Sequence, residues 1–196
     1  MSLSRRELLK SLSASAVAVS AGRVVPVATA QSAHHMVKAE KAASASGRYT
    51  PKFFSSHQYE ILKALCQAIL PPDQECAGAV EAGAPEFLDL ITSENKDLQL
   101  QLGGGMMWLD STCIGRYGQT YLDCSPAQRK EILDLIAFRK NVEKDARLGP
   151  GVDFFSVLRK GTADGFFTSK IGIKYLGYIG NTYLAEFPGC PEVPKA

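Results

Sequence analysis

The chain has 196 residues, 45% apolar and 21% charged, the composition of one ordinary globular domain rather than of a disordered or fibrous protein. Lys and Arg total 22 against 20 Asp and Glu, a balance that offers no dense basic face and so no electrostatic case for nucleic acid as a partner. No apolar run approaches the roughly 20 residues that a membrane-spanning helix needs.

Residues 1–30 read as an export address. Arg5-Arg6-Glu7-Leu8-Leu9-Lys10 forms a charged start, and an uncharged stretch rich in Ala, Ser and Val follows to Gly22. Paired Arg5 and Arg6, Leu8 and Leu9 in apolar slots and a closing Lys10 resemble the twin-arginine signal read by the twin-arginine translocase. Ala28-Thr29-Ala30 supplies the small side chains that signal peptidase accepts, placing a cut before Gln31. Removing this segment takes Arg5, Arg6, Lys10 and Arg23 with a single acid, Glu7, so the slightly basic charge belongs to the signal.

Residues 31–48 hold His34, His35 and many Ala and Ser without apolar periodicity, and read as a flexible tether. Two adjacent histidines in such a tail are not expected to hold a metal. The folded part, 49–196, opens with a capping box at Ser55 and Gln58, after which Tyr59, Leu62, Leu65, Cys66 and Ile69 recur at helical spacing until Pro71-Pro72. A second helix opens at Pro85 and carries Phe87, Leu88, Ile91, Leu98 and Leu102, with Gly103-Gly104-Gly105 expected to interrupt it as a hinge. A third runs from Met106 to about Tyr117. Ser125-Pro126-Ala127-Gln128 is another capping box, followed by Ile132, Leu133, Leu135 and Ile136. After Gly149-Pro150-Gly151 a further helix holds Phe154, Phe155, Val157 and Leu158, with a separate turn or short helix between Gly161 and Thr168. No alternating strand pattern appears, so the expected fold is all-α: an irregular bundle of about five helices with a Gly- and aromatic-rich, non-periodic extension from Ile171.

The catalytic inventory is thin. His57 is the one histidine inside the expected folded body, in a helix first turn where a surface polar role fits best. Dinucleotide, phosphate-loop, zinc-protease and haem-attachment motifs are missing, and the carboxylates are scattered. The sequence therefore assigns this chain no catalytic, cofactor-binding or metal residue. Five cysteines, Cys66, Cys76, Cys113, Cys124 and Cys190, suit an oxidising compartment and leave the pairing open. Cys190, held in Phe187-Pro188-Gly189-Cys190-Pro191, is expected to face outward and meet a cysteine of another chain. Aromatics crowd the last quarter of the chain. The pairs Phe154-Phe155 and Phe166-Phe167 have core filling as their bland reading. Tyr175, Tyr178, Tyr183 and Phe187, interleaved with Gly172, Gly177 and Gly180, read as a partner interface, and Phe166, Phe167 and Asn181 join them as candidates. The competing readings are a free-standing periplasmic helical enzyme and an electron-transfer protein, the latter disfavoured by the missing haem and cluster motifs.

These residues resemble the gluconate 2-dehydrogenase subunit 3 family. The likeness is carried by Ile69-Leu70-Pro71, Ala77-Gly78-Ala79, Phe87-Leu88-Asp89, Tyr117-Gly118, Gly165-Phe166-Phe167-Thr168-Ser169, Leu176-Gly177-Tyr178-Ile179-Gly180-Asn181 and the closing Phe187-Pro188-Gly189-Cys190-Pro191. Glu75-Cys76-Ala77 departs from it, since a proline is frequent there. The resemblance implies a non-catalytic small subunit with no cofactor of its own. Its partners would be a large FAD-containing dehydrogenase subunit acting on a sugar, polyol or sugar acid and, in some complexes, a multihaem cytochrome c. It also implies periplasmic residence, membrane association through the complex, and a small subunit that carries the export signal for both chains.

Overall fold

Helix starts in this chain are written by small polar caps and first-turn prolines, and a computed structural model, which describes residues 27–44 and 47–180, shows them in use. The elements are α1 (Val27–Ala43), α2 (Ser56–Ile69), α3 (Ala84–Ser93), the single turn α4 (Lys96–Leu98), a π-helical turn (Gln99–Gly103), α5 (Gly104–Tyr117), α6 (Pro126–Ile136), α7 (Gly149–Phe167) and α8 (Lys170–Tyr175). No strand occurs among the described residues, so the fold is all-α. Both expected capping boxes form: Gln58 N donates to Ser55 Oγ and Ser55 N to Gln58 Oε1, and the same reciprocal pair joins Ser125 and Gln128. Arg5, Arg6, Leu8, Leu9 and Lys10, and Asn181, Tyr183, Phe187 and Cys190, lie outside the described residues.

Four expectations are corrected. The segment 31–48 is not an irregular tether: α1 covers most of it and buries Ala30, Ala33 and Val37 in the main core. Its buried stripe consists of small residues, which give little hydrophobic contrast but allow close approach to α3. The Gly103–Gly105 triplet is no hinge, because the chain passes through it helically; the break falls instead at Asn95, whose side chain accepts from Asp97 N (2.9 Å) and Leu98 N (3.1 Å). Residues 161–167 continue α7 without interruption, and the extension from Ile171 begins inside α8.

Helix α7 is the central element and packs against α2, α3, α5, α6 and α8. Glycines permit that centrality. A Cβ on Gly161 would stand 2.5 Å from Leu88 Cδ2, and one on Gly165 2.8 Å from Phe87 Cδ1, so α3 lies closer to α7 than any larger residue allows. In return α7 sends Phe154 onto Gly105 of α5, where a Cβ would overlap the ring at 2.0 Å. The triple glycine thus serves packing.

Ahead of α2, residues 49–54 form no regular element and bring their backbone groups to Asp89 of α3. This carboxylate is fully buried. Its Oδ1 accepts from Phe53 N (3.1 Å) and Phe54 N (3.0 Å), and its Oδ2 from Lys52 N (2.7 Å) and Tyr49 Oη (2.8 Å). Four donors converge on this one carboxylate with no counter-ion in direct contact among the described residues, which makes its burial tolerable and satisfies three backbone N–H groups together. Burial, with the neighbouring Asp89 carboxylate, pushes the Tyr49 phenol well above its ordinary range. Replacing Asp89 with Ala leaves these donors orphaned and is expected to lower unfolding free energy by about 3–5 kcal/mol. Asp89→Asn, which retains one acceptor, should cost less; urea unfolding followed by the fluorescence of Trp108, the single tryptophan, measures both.

Candidate partner-binding surface

The junction of α7 and α8 builds a rigid platform from a few polar atoms. Ser169, buried between the helices, donates from Oγ to Phe166 O (2.7 Å) and accepts from Gly172 N (3.0 Å), capping α8 while closing α7. A Cβ on Gly172 would lie 2.1 Å from Phe166 O, so α8 sits directly on the end of α7. Helix α8 stops at Gly177, in the left-handed region at φ 63°, where Tyr178 N bonds Ile173 O (3.2 Å) and Gly177 N bonds Lys174 O (3.0 Å). That pair of bonds is a Schellman motif, and it fixes the direction in which the chain leaves.

On this platform Phe166 is buried, 5% exposed, and supports rather than presents: Phe167 and Tyr175 meet its ring edge to face at 5.1 and 6.4 Å. Its candidacy as a contact residue is corrected to that of a buttress. Phe167, Tyr175 and Tyr178 face solvent, joined by two residues that sequence reasoning passed over, Leu176 (59% exposed) and Ile179 (86%). Five apolar side chains within thirteen residues of chain, left uncovered at the end of a well-packed pair of helices, form a surface suited to burial against another protein.

A second uncovered stripe runs from the π-helical turn along α5. Leu100, Met107 and Ile114 are exposed at intervals of seven residues, and the exposed positions between them include Gly104 and Ser111. The heptad spacing was present in the sequence but was hidden by the assumed break at Gly103. Beside Leu100 opens a groove of about 740 Å³ between α5 and α7, lined among others by Trp108, Phe154, Arg139 and Asp153, the last two joined at 2.8 Å.

The titratable groups are arranged for structure. His57 Nε2 lies 2.7 Å from Asp110 Oδ2 on the surface, the polar role expected of it, and Asp110 Oδ1 also accepts from Tyr121 N at 2.9 Å. The expectation that His57 alone lies in the folded body is corrected, because α1 brings in His34. Its ring stacks on Phe87 (5.1 Å between centroids, 19° between planes), and Nε2 lies 3.1 Å from Thr168 Oγ1, so this imidazole clips α1 to the start of the platform. Two ion pairs also tie α1 down, Lys41 with Glu86 of α3 at 2.5 Å and Glu40 with Lys52 of the entry segment. Burial lowers the His34 pKa, opposed by a hydrogen bond to the Gly165 backbone and by the charge of Glu86, and assisted by His35. No group of three or more metal-ligating side chains occurs among the described residues.

The family described as gluconate 2-dehydrogenase subunit 3 matches residues 56–189, more than half of the chain. No curated protein and no solved structure matches it.

The His34 contact makes a signed prediction. A histidine whose folded pKa lies below its unfolded value favours the native state above about pH 6.5, and that contribution is lost as pH falls through the folded pKa. Lowering the pH from 7.5 to 5 should therefore depress the melting temperature more in the wild type than in His34→Phe, which keeps a ring over Phe87 and cannot titrate; differential scanning fluorimetry across this range reads the difference.

Proposed function

The chain belongs to the gluconate 2-dehydrogenase subunit 3 family, and from that premise we propose that it is the non-catalytic small subunit of a membrane-associated flavoprotein dehydrogenase. In this reading it binds a large FAD-containing subunit that oxidises gluconate, a sugar or a polyol, with haem c on a third, cytochrome subunit as electron acceptor. It holds no cofactor itself. The observation that supports the reading is the uncovered cluster of Phe167, Tyr175, Leu176, Tyr178 and Ile179 on the α7–α8 platform. Each such side chain contributes on the order of 1.5–3 kcal/mol when fully buried, so a few of them suffice to anchor a stable interface. In this proposal Asn181, Tyr183 and Phe187 also contact the large subunit, and Cys190 forms a disulfide to it.

Arg5, Arg6, Leu8, Leu9 and Lys10 give the chain its second role, carriage of the complex to the periplasm by the twin-arginine translocase. The chemistry requires an order of events: a flavin is held by a folded protein, so the large subunit must be complete and bound to its escort before it crosses. An apolar, aromatic surface suits that early and tight association.

Co-expression of this chain, tagged, with its large subunit tests both roles. Tyr178→Asp combined with Ile179→Asp should weaken co-elution of flavin by roughly 30-fold or more at unchanged helical circular dichroism. Arg5→Lys with Arg6→Lys should leave both polypeptides in the cytoplasm. Undiminished co-elution, or normal export of the large subunit, overturns the corresponding role.

A further inference from the structure

The connection between α5 and α6 brings two cysteines together, and nothing in the proposed function uses them. Cys113 lies on the buried face of α5, 0% exposed, and Cys124 immediately precedes the capping serine of α6, 3% exposed. Both are buried in the main core with Tyr121, one from each end of the connection, and Cys124 is among the groups that act on the Cys113 thiol. Independent contacts hold this geometry. Gly118, at φ 73°, turns the chain back and bonds Ile114 O. One turn of α5 before Cys113, Asp110 accepts from Tyr121 N at 2.9 Å, which sets the connection against the face that carries Cys113. Cys124 N bonds Thr120 O at 3.1 Å, and Arg129 of α6 donates to Cys124 O at 3.0 Å and to Leu122 O. Cys66, by contrast, is engaged with Thr162 Oγ1 at 3.5 Å, and Cys76 lies in the loop after α2.

We propose that Cys113 and Cys124 are a disulfide-forming pair that closes the α5–α6 connection covalently under oxidising conditions. The step is thiol–disulfide exchange with a small-molecule or protein disulfide as oxidant. One thiolate attacks the oxidant disulfide and releases one thiol; the second cysteine then attacks the mixed disulfide and releases the other. Two S–H bonds and the oxidant S–S bond are lost, one protein S–S bond is made, and the two electrons and two protons leave as two reduced thiols. Burial, with the neighbouring Cys124, pushes the Cys113 thiol up to about 12. Attack therefore waits on transient opening of the connection, and the bond is made slowly but, once made, is shielded from reductant. The proposal is independent of the partner and of the export route.

The test uses the full chain, purified reduced, incubated with oxidised glutathione, then denatured and alkylated. Peptide mapping should show the segment containing Cys113 linked to that containing Cys124, with both protected from alkylation. The oxidised protein should melt roughly 5–10 °C above the reduced one, a shift that disappears in Cys113→Ala and in Cys124→Ala. The map needs no variant, so a poorly folding mutant does not weaken it. Full alkylation of both thiols after oxidation, or linkage of either to Cys66, Cys76 or Cys190, overturns the proposal.

Discussion

One buried carboxylate organises the described fold. Asp89 gathers the backbone of residues 52–54 and the Tyr49 hydroxyl, and by doing so fixes where the irregular entry segment ends and α2 begins. A charge in that position is costly unless several donors converge on it, so the segment 49–54 has one conformation that satisfies it and many that do not. The neighbours of Asp89 in sequence, Phe87 and Leu88, lie under Gly165 and Gly161 of α7, so the same turn of α3 sets both the polar anchor and a close helix contact. In the sequence Phe87 and Leu88 read as apolar positions of a helix and Phe87-Leu88-Asp89 as a family mark; the physical content of the triplet is this double fastening.

What could be read from the sequence divides by mechanism. Capping boxes and first-turn prolines act locally, through atoms three residues apart, and Ser55, Gln58, Ser125, Gln128 and Pro126 therefore announced their helices correctly. The all-α class followed from helical spacing of large apolar residues. Tertiary compensation was invisible: Gly103–Gly105 looked like a break because glycine weakens an isolated helix, whereas Phe154 packing on Gly105 supplies what the local sequence lacks. Helix α1 was missed for a related reason. Its buried positions are Ala30, Ala33 and Val37, whose burial stabilises little each and gives no visible stripe until α3 is beside them.

The candidate surface was legible in part. Aromatic crowding among glycines pointed to the end of α7 and to α8, and Phe167, Tyr175 and Tyr178 do face outward. Composition does not say which side of a helix a ring occupies, so Phe166 was grouped with its neighbours although it lies beneath them. Gly172 and Ser169 matter as much as the rings: without their close contact with Phe166 O, α8 would have no fixed seat and the exposed side chains no fixed arrangement.

His34 and Thr168 touch across 134 residues of sequence, and α7, on which most other helices lean, comes late in the chain. A nascent polypeptide still on the ribosome would have α1, α2 and α3 in hand but nothing central to lay them against. Closure of such long loops is entropically costly until the last partner arrives, which favours a single late step over gradual assembly. Completion of the fold thus waits for α7, so a product truncated before α7 is expected to remain open and to be cleared by proteases, not retained as a half-built subunit.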